Sequence, residues 1–184
     1  MAAKPKYKMT ALLYKLKLIQ DLKFKLNISK IEFTNKFREN VDESNLGYEP
    51  FEVFQSSTNQ YKGNIYNNNF ELKKRKRFFD TRYSFAKVTG QLVEENEYLN
   101  IKVEINAFKK RMIIFFGFLI LFYLIFIIAS VFGGEMSSTP LFFLPFLIIH
   151  MCIMLGIPYF IIRRSVSKMA YDLERDFHYW VTRN

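Results

Sequence analysis

Residues 112–132 read MIIFFGFLILFYLIFIIASVF and residues 141–162 read LFFLPFLIIHMCIMLGIPYFII. Neither stretch holds a charged residue, and they are 21 and 22 residues long. At ~1.5 Å rise per residue each helix would span roughly 31–33 Å, the thickness of a hydrocarbon core. A core helix of a soluble protein is seldom apolar all round for that length. The pair therefore predicts a two-helix transmembrane hairpin, with spans 112–132 and 141–162. Neither run is N-terminal, so neither reads as a signal peptide.

The flanks set an orientation. Lys109, Lys110 and Arg111 precede the first run, Arg163 and Arg164 follow the second, and Gly133–Pro140 between them has no Lys or Arg. Positive residues favour the cytoplasmic side, so both termini are expected in the cytoplasm. Tyr159 suits an interface position near the end of the second span. Pro140 is placed to start that span, and Pro145 and Pro158 to kink it.

The rest of the chain is polar enough to bring the mean hydropathy to −0.03, although 50% of all residues are hydrophobic. The net charge is +10, and residues 1–111 carry 22 basic against 13 acidic side chains. Four segments follow: a basic N-terminal segment 1–21, a cytoplasmic α+β domain 22–110, the hairpin 111–163, and an amphipathic tail 164–184.

Within the domain, Leu22, Phe24, Leu26 and Ile28 alternate with polar residues and predict a strand. Ser29 with Glu32 three residues on is a capping box opening a helix to about Val41. Its inner face is expected from Ile31, Phe37 and Val41, with Phe33 at the edge. Phe51–Gln55 reads as a short strand, and Thr10–Gln20 as an amphipathic helix with a strand as alternative.

Gly63-Asn64-Ile65-Tyr66, a polar turn Asn67–Asn69 and Phe70–Lys73 suggest one β-hairpin. Gly90–Val93, a polar turn Glu94–Glu97 and Tyr98–Val103 suggest a second, with the two glycines 27 residues apart. The fold class is therefore α+β: an antiparallel hairpin sheet with a covering helix. The tail Ser165–Trp180 places Met169, Leu173, Phe177 and Trp180 on one helical face, suited to packing on that sheet or to lying on a membrane surface.

Lys73, Lys74, Arg75, Lys76 and Arg77, with Arg82, form the densest basic cluster. Beside a membrane they suit anionic lipid headgroups, at about 1 kcal/mol per residue. The flanking Lys109, Lys110, Arg111, Arg163 and Arg164 belong to the same lipid-facing set. A solvated basic strand is the plainer reading. No aromatic-interleaved or motif-level signature points to nucleic acid.

In the spans, His150 is the one ionisable side chain of its class, and reflection through the loop sets it level with Tyr123, and Gly117 level with Gly156. A Tyr123–His150 hydrogen bond would satisfy both groups. Cys152 and Gly156 share a small-residue face about 200° from His150, so both faces cannot meet the first span. That predicts a further membrane partner, a second copy or another subunit.

Enzyme chemistry has little to stand on. There is no Gly-rich phosphate loop, no His-Glu-x-x-His and no G-x-S-x-G. The histidines are His150 and His178, the single cysteine Cys152 excludes an intrachain disulfide, and Glu94, Glu95 and Glu97 sit in a turn. No metal or cofactor is expected.

Across Tyr61–Ile105 the chain resembles a group of small uncharacterised bacterial membrane proteins. Their pattern runs G-x-[IV], F-x-[IL], a basic run, R-N-S-F-x-P and a second G-x-[IV] before a transmembrane hairpin. Gly63/Ile65, Phe70/Leu72, Lys73–Arg77, Arg82/Ser84/Phe85 and Gly90/Leu92 stand at those places, while Tyr83 and Lys87 depart from it. The resemblance implies this layout and a bacterial inner membrane, and carries no activity. The functional expectation is a non-enzymatic adaptor, sensor or accessory subunit, oligomeric or part of a larger complex and touching anionic lipid. A ligand-triggered membrane-disrupting effector and a lipid enzyme are the alternatives.

Overall fold

A computed structural model of the chain describes residues 5–47, 49, 51–78, 80, 84–95, 98–132 and 143–182. The chain divides into two compact units, Met1–Ala107 with Ile162–Asn184, and Phe108–Ile161.

The first unit is built on a mixed α+β plan. Its elements are α1 Pro5–Lys15, β1 Ile19–Leu26, α2 Lys30–Asn40, β2 Val41–Glu43, a 3-10 turn Glu52–Phe54, β3 Tyr61–Tyr66, β4 Asn69–Lys74, β5 Lys87–Glu95 and β6 Tyr98–Asn106. Among the described residues the strands form one six-stranded sheet in the order β1-β6-β5-β4-β3-β2. All neighbours are antiparallel except β2, which runs parallel to β3 with Val41 opposite Tyr61.

Turn chemistry and glycines set the two hairpins. Tyr66 pairs with Asn69, leaving a two-residue turn in which Asn67 has φ 49°. Asparagine tolerates that left-handed conformation, which matches the twist of a tight hairpin. The tip of the second hairpin, residues 96–97, lies outside the described residues. Gly90 lies opposite Phe70, and a Cβ there would collide with the Phe70 ring. A Cβ on Gly63 would strike the Glu71 carbonyl oxygen and Leu72 Cα. Both glycines of the 27-residue spacing are thus places of close approach.

One face of the sheet carries the core. Leu72, Val88, Leu92, Leu99, Ile101 and Ile105 are fully enclosed. Phe33 and Phe37 of α2 cover it, as does the C-terminal part of α4, a helix running from Phe143 to Thr182. Phe177 lies 5.4 Å from Phe24, 5.5 Å from Phe33 and 6.0 Å from Phe70, ring to ring. Met169, Leu173 and Trp180 are buried on the same helical face.

Several local expectations are corrected. The inner face of α2 is Phe33 and Phe37, one turn apart, while Ile31 is 76% exposed. Ser29 does cap the helix, its Oγ accepting from the Glu32 amide at 3.2 Å. The N-terminal helix ends at Lys15, and β1 begins already at Ile19. Residues 51–55 hold no strand but a 3-10 turn with Glu52 buried and Phe51 and Phe54 outside. No break separates the second apolar run from the tail. Arg163 and Arg164 are good helix formers, and no Gly or Pro lies between Ile162 and Trp180.

The second unit contains α3, Lys110–Phe132, and α4 as far as Ile161. Both helices are long and apolar enough to cross a membrane. Among their described side chains in this unit only Tyr123 and Leu147 are buried. Ile114, Phe118, Phe146 and Phe160 are each well over half exposed. Pro145 stands in the first turn of α4, where no intrahelical donor is needed, and Pro158 lies inside the helix. The segment 133–142, with Pro140, lies outside the described residues.

Candidate functional site

The basic run leaves β4 and divides at once. Lys74 shares the core-facing side with its cross-strand partner Tyr61, and its Nζ meets Asp172 Oδ2 of α4 at 2.6 Å with both side chains buried. Lys73 turns to the other face and donates to the Leu46 carbonyl at 2.9 Å. Arg75 is buried, pairs with Asp42 and donates to Gln55 Oε1 at 2.9 Å. Arg77 donates to the carbonyls of Ser57, Thr58 and Asn59 at 3.0–3.1 Å. The Lys76 side chain is exposed, while its backbone amide donates to Glu52 Oε1 at 3.2 Å. Arg82 lies outside the described residues.

A second pair mirrors the first. Lys62 on β3 is buried and binds Glu52 at 2.9 Å and Glu49 at 3.3 Å. Glu52 therefore ties the 3-10 turn to both β3 and the Lys76 amide. The hydrogen bond from Lys62 holds the Glu49 carboxyl below its ordinary value, helped by Ser44. At Asp42 burial pushes the carboxyl upward, but hydrogen bonds from Ser57 and Asn59 and the Arg75 guanidinium outweigh it, and the net shift is down.

Between β3 and α4, Tyr61, Lys74, Arg75, Asp172, Arg175 and Asp176 line a cleft of about 690 Å³ with Arg77, Phe78, Tyr179 and Trp180 at its walls. Tyr61 Oη donates to Asp176 Oδ2 at 2.6 Å, and Arg175 Nε to Asp176 Oδ1 at 2.7 Å. Burial and then the Asp176 carboxylate push the Tyr61 phenol far above its ordinary value. The Asp176 hydrogen bond also raises Arg175. Lys74, Arg75 and Arg175 are each answered by a carboxylate and Arg77 by three backbone carbonyls, so each of these cations is already engaged within the unit. Among the described residues no group of His, Cys, Asp or Glu could hold a metal ion.

The residues after the basic run are stapled to α4. Ser84 Oγ lies 2.8 Å from Ser165 Oγ and 2.9 Å from the Ser165 carbonyl, and the Phe85 amide donates to Ser165 Oγ at 3.0 Å. Sequence reasoning missed Glu52, Lys62, Ser165, Asp172 and Asp176. The one available signal was Asp172 and Asp176 bracketing the apolar Leu173 face at helical spacing.

In the helical unit, Tyr123 Oη and His150 Nδ1 lie 2.6 Å apart. Phe146 stacks on the imidazole at 6.2 Å. Gly117 and Gly156 are not close-packed, since a Cβ on either would meet nothing within 4 Å. Cys152 is exposed. It is therefore the His150 side of α4 that meets α3, and the Cys152/Gly156 side is left open. Lys109 and Arg111 at the start of α3 are exposed, as is Arg164, with Arg163 half-buried and Lys110 the first residue of α3.

The chain matches no protein-family model, no curated protein and no solved structure. The resemblance across Tyr61–Ile105 therefore brings no activity or site residue to it.

Proposed function

We propose that this chain is an integral membrane protein whose two apolar helices cross the bilayer as a hairpin. Its α+β unit is cytoplasmic, and it serves as a non-enzymatic adaptor or accessory subunit at an anionic lipid surface. The observation that carries the reading is the exposure of the apolar side chains of α3 and the N-terminal half of α4, with only Tyr123 and Leu147 buried among those described. That surface suits hydrocarbon, since contiguous apolar patches beyond a few hundred Å² are rare on water-soluble proteins. Every backbone group of a spanning helix is satisfied internally, which hydrocarbon requires.

Lys109, Lys110, Arg111, Arg163 and Arg164 bracket the apolar segments and favour both ends on the cytoplasmic side. Each would add about 1 kcal/mol of attraction to anionic headgroups. A binding role is supported by the carboxylates of the sheet unit. Asp42, Glu49, Glu52, Asp172 and Asp176 each hold a cation of the same unit, so they serve architecture rather than proton transfer. The open Cys152/Gly156 side of α4 is the surface for a second copy or another subunit in the bilayer.

Alkaline carbonate washing of membranes containing the full chain tests the reading. Retention in the pellet is expected, and release with peripheral proteins would overturn it.

A further inference from the structure

The sheet unit displays an aromatic cluster that its core does not use. Phe51 and Phe54 are each 71% exposed and Phe78 is 56% exposed. Their rings touch one another, Phe54 lying 5.0 Å from Phe78 and 6.4 Å from Phe51. The arrangement is built. Buried Glu52, between the two outer rings, is gripped by Lys62 and by the Lys76 amide, so the turn is fixed with Phe51 and Phe54 outside. Arg77 stitches residues 57–59 to the segment after β4 that carries Phe78.

We infer that Phe51, Phe54 and Phe78, with Lys76, form a second membrane contact, in which the rings enter the headgroup layer of an anionic bilayer. The inference rests on the hairpin reading above, and three observations lead to it. First, cations of the run stay at the surface beside the cluster: Lys76 and Arg77, the two residues before Phe78, are exposed. Glu52, the acidic residue nearest the rings, is spent on Lys62.

Second, the cluster lies at the right end of the sheet. Lys73 near the end of β4 pairs with Lys87, and Lys87 pairs with Asn106, the last residue of β6. The chain leaves for α3 immediately after, and it returns at Ile162, three residues before the Ser165 that binds Ser84. Both connections to the apolar helices therefore belong to the sheet end that bears Arg75–Phe78. From Asn106 to the start of α3 at Lys110 four residues extend at most about 14 Å, and β4 is two strands, roughly 10 Å, from β6.

Third, the chemistry matches. Amphipathic helices with Lys beside Trp, Phe or Leu bury their apolar face about 5–10 Å into the headgroup boundary, and exposed rings beside a Lys offer the same pairing of apolar burial with attraction to anionic lipid.

The test uses the full chain with Cys152→Ser, reconstituted in nanodiscs of phosphatidylcholine with or without phosphatidylglycerol. A nitroxide is placed at Phe54→Cys, at Thr89→Cys on the uncovered sheet face, or at Ile120→Cys within α3. With phosphatidylglycerol, the label at 54 is expected to become accessible to oxygen and closed to an aqueous nickel chelate, while that at 89 stays open to the chelate. Lys76→Glu should reverse the change at 54. Chelate access at 54 in both lipids, with 120 shielded, would overturn this contact alone. A label at 54 shielded from both oxygen and chelate would overturn it in favour of a covering protein. Chelate access at 120 would overturn the hairpin reading as well.

Discussion

Lys74 of β4 and Asp172 of α4 stand 98 residues apart in sequence and meet at 2.6 Å, each with a side chain 8% exposed. They join the sheet to the helix that covers it, beside the aromatic contacts of Phe177 and Trp180. Removing one member of such a pair strands a buried charge. Lys74→Met and Asp172→Leu should each destabilise the sheet unit by about 3–5 kcal/mol, and the double substitution should recover most of the loss. Thermal unfolding of the detergent-solubilised chain, followed by the near-ultraviolet signal of Trp180, provides the check.

A pH dependence follows from Asp42 and Glu49. Both carboxyls are held below their ordinary values of 3.8 and 4.5. A depressed folded-state value contributes stability that is full above the unfolded value and lost as pH falls through the folded one. The contacts of Asp42 with Ser57 and Asn59, and of Glu49 with Ser44 and Lys62, should therefore loosen as pH drops below about 3.8–4.5. The hydrogen-exchange protection factor of the Asn59 amide, which donates to Ser57 Oγ, taken relative to the unstructured-chain rate at each pH, should fall there. Asp42→Asn should remove much of that dependence and leave the Ser57 and Asn59 contacts looser at neutral pH.

The two glycines give a steric prediction. Gly90→Ala forces a Cβ into the Phe70 ring and should cost about 1–3 kcal/mol, the range for overpacking. Phe70→Leu added to Gly90→Ala should cost less than the sum of the two single changes. Gly63→Ala meets backbone rather than a ring, so no side-chain substitution in β4 should rescue it. Melting temperatures of the four variants decide this.

What could be read in the sequence was what repeats at short range. The alternation in Tyr98–Val103, the Asn67-Asn68 turn and the Ser29 cap are written in neighbouring residues. So is the Met169/Leu173/Phe177/Trp180 stripe, where period alone names the buried face. β2 has three residues, too few for an alternation, and its parallel pairing with β3 leaves no local mark. Phe51 and Phe54 looked like strand residues because apolar content was the only cue. Glu52 decides that turn through Lys62, which only the fold brings near. The basic run was legible as charge, but its partition was not. The Asp172 that claims Lys74 and the Asp176 that binds Tyr61 arrive about a hundred residues later.

In the helical unit the Tyr123–His150 contact should hold the two helices together in lipid. Tyr123→Phe removes the hydroxyl facing His150 Nδ1 and should weaken the hairpin by about 0.6–2 kcal/mol. Unfolding in mixed micelles of increasing denaturing detergent measures it. His150→Leu should cause a similar loss, and the double variant should lose little more than either single one.

The central claim is that α3 and α4 carry the chain across a bilayer and back. Single cysteines at Gln91, Glu135 and Ser167, in a chain with Cys152→Ser, can be exposed to a membrane-impermeant maleimide in sealed vesicles whose outer face is the outside of the cell. The account predicts labelling at 135 in intact vesicles, and at 91 and 167 only after permeabilisation. Equal labelling of all three before permeabilisation, or of none until afterwards, would contradict it.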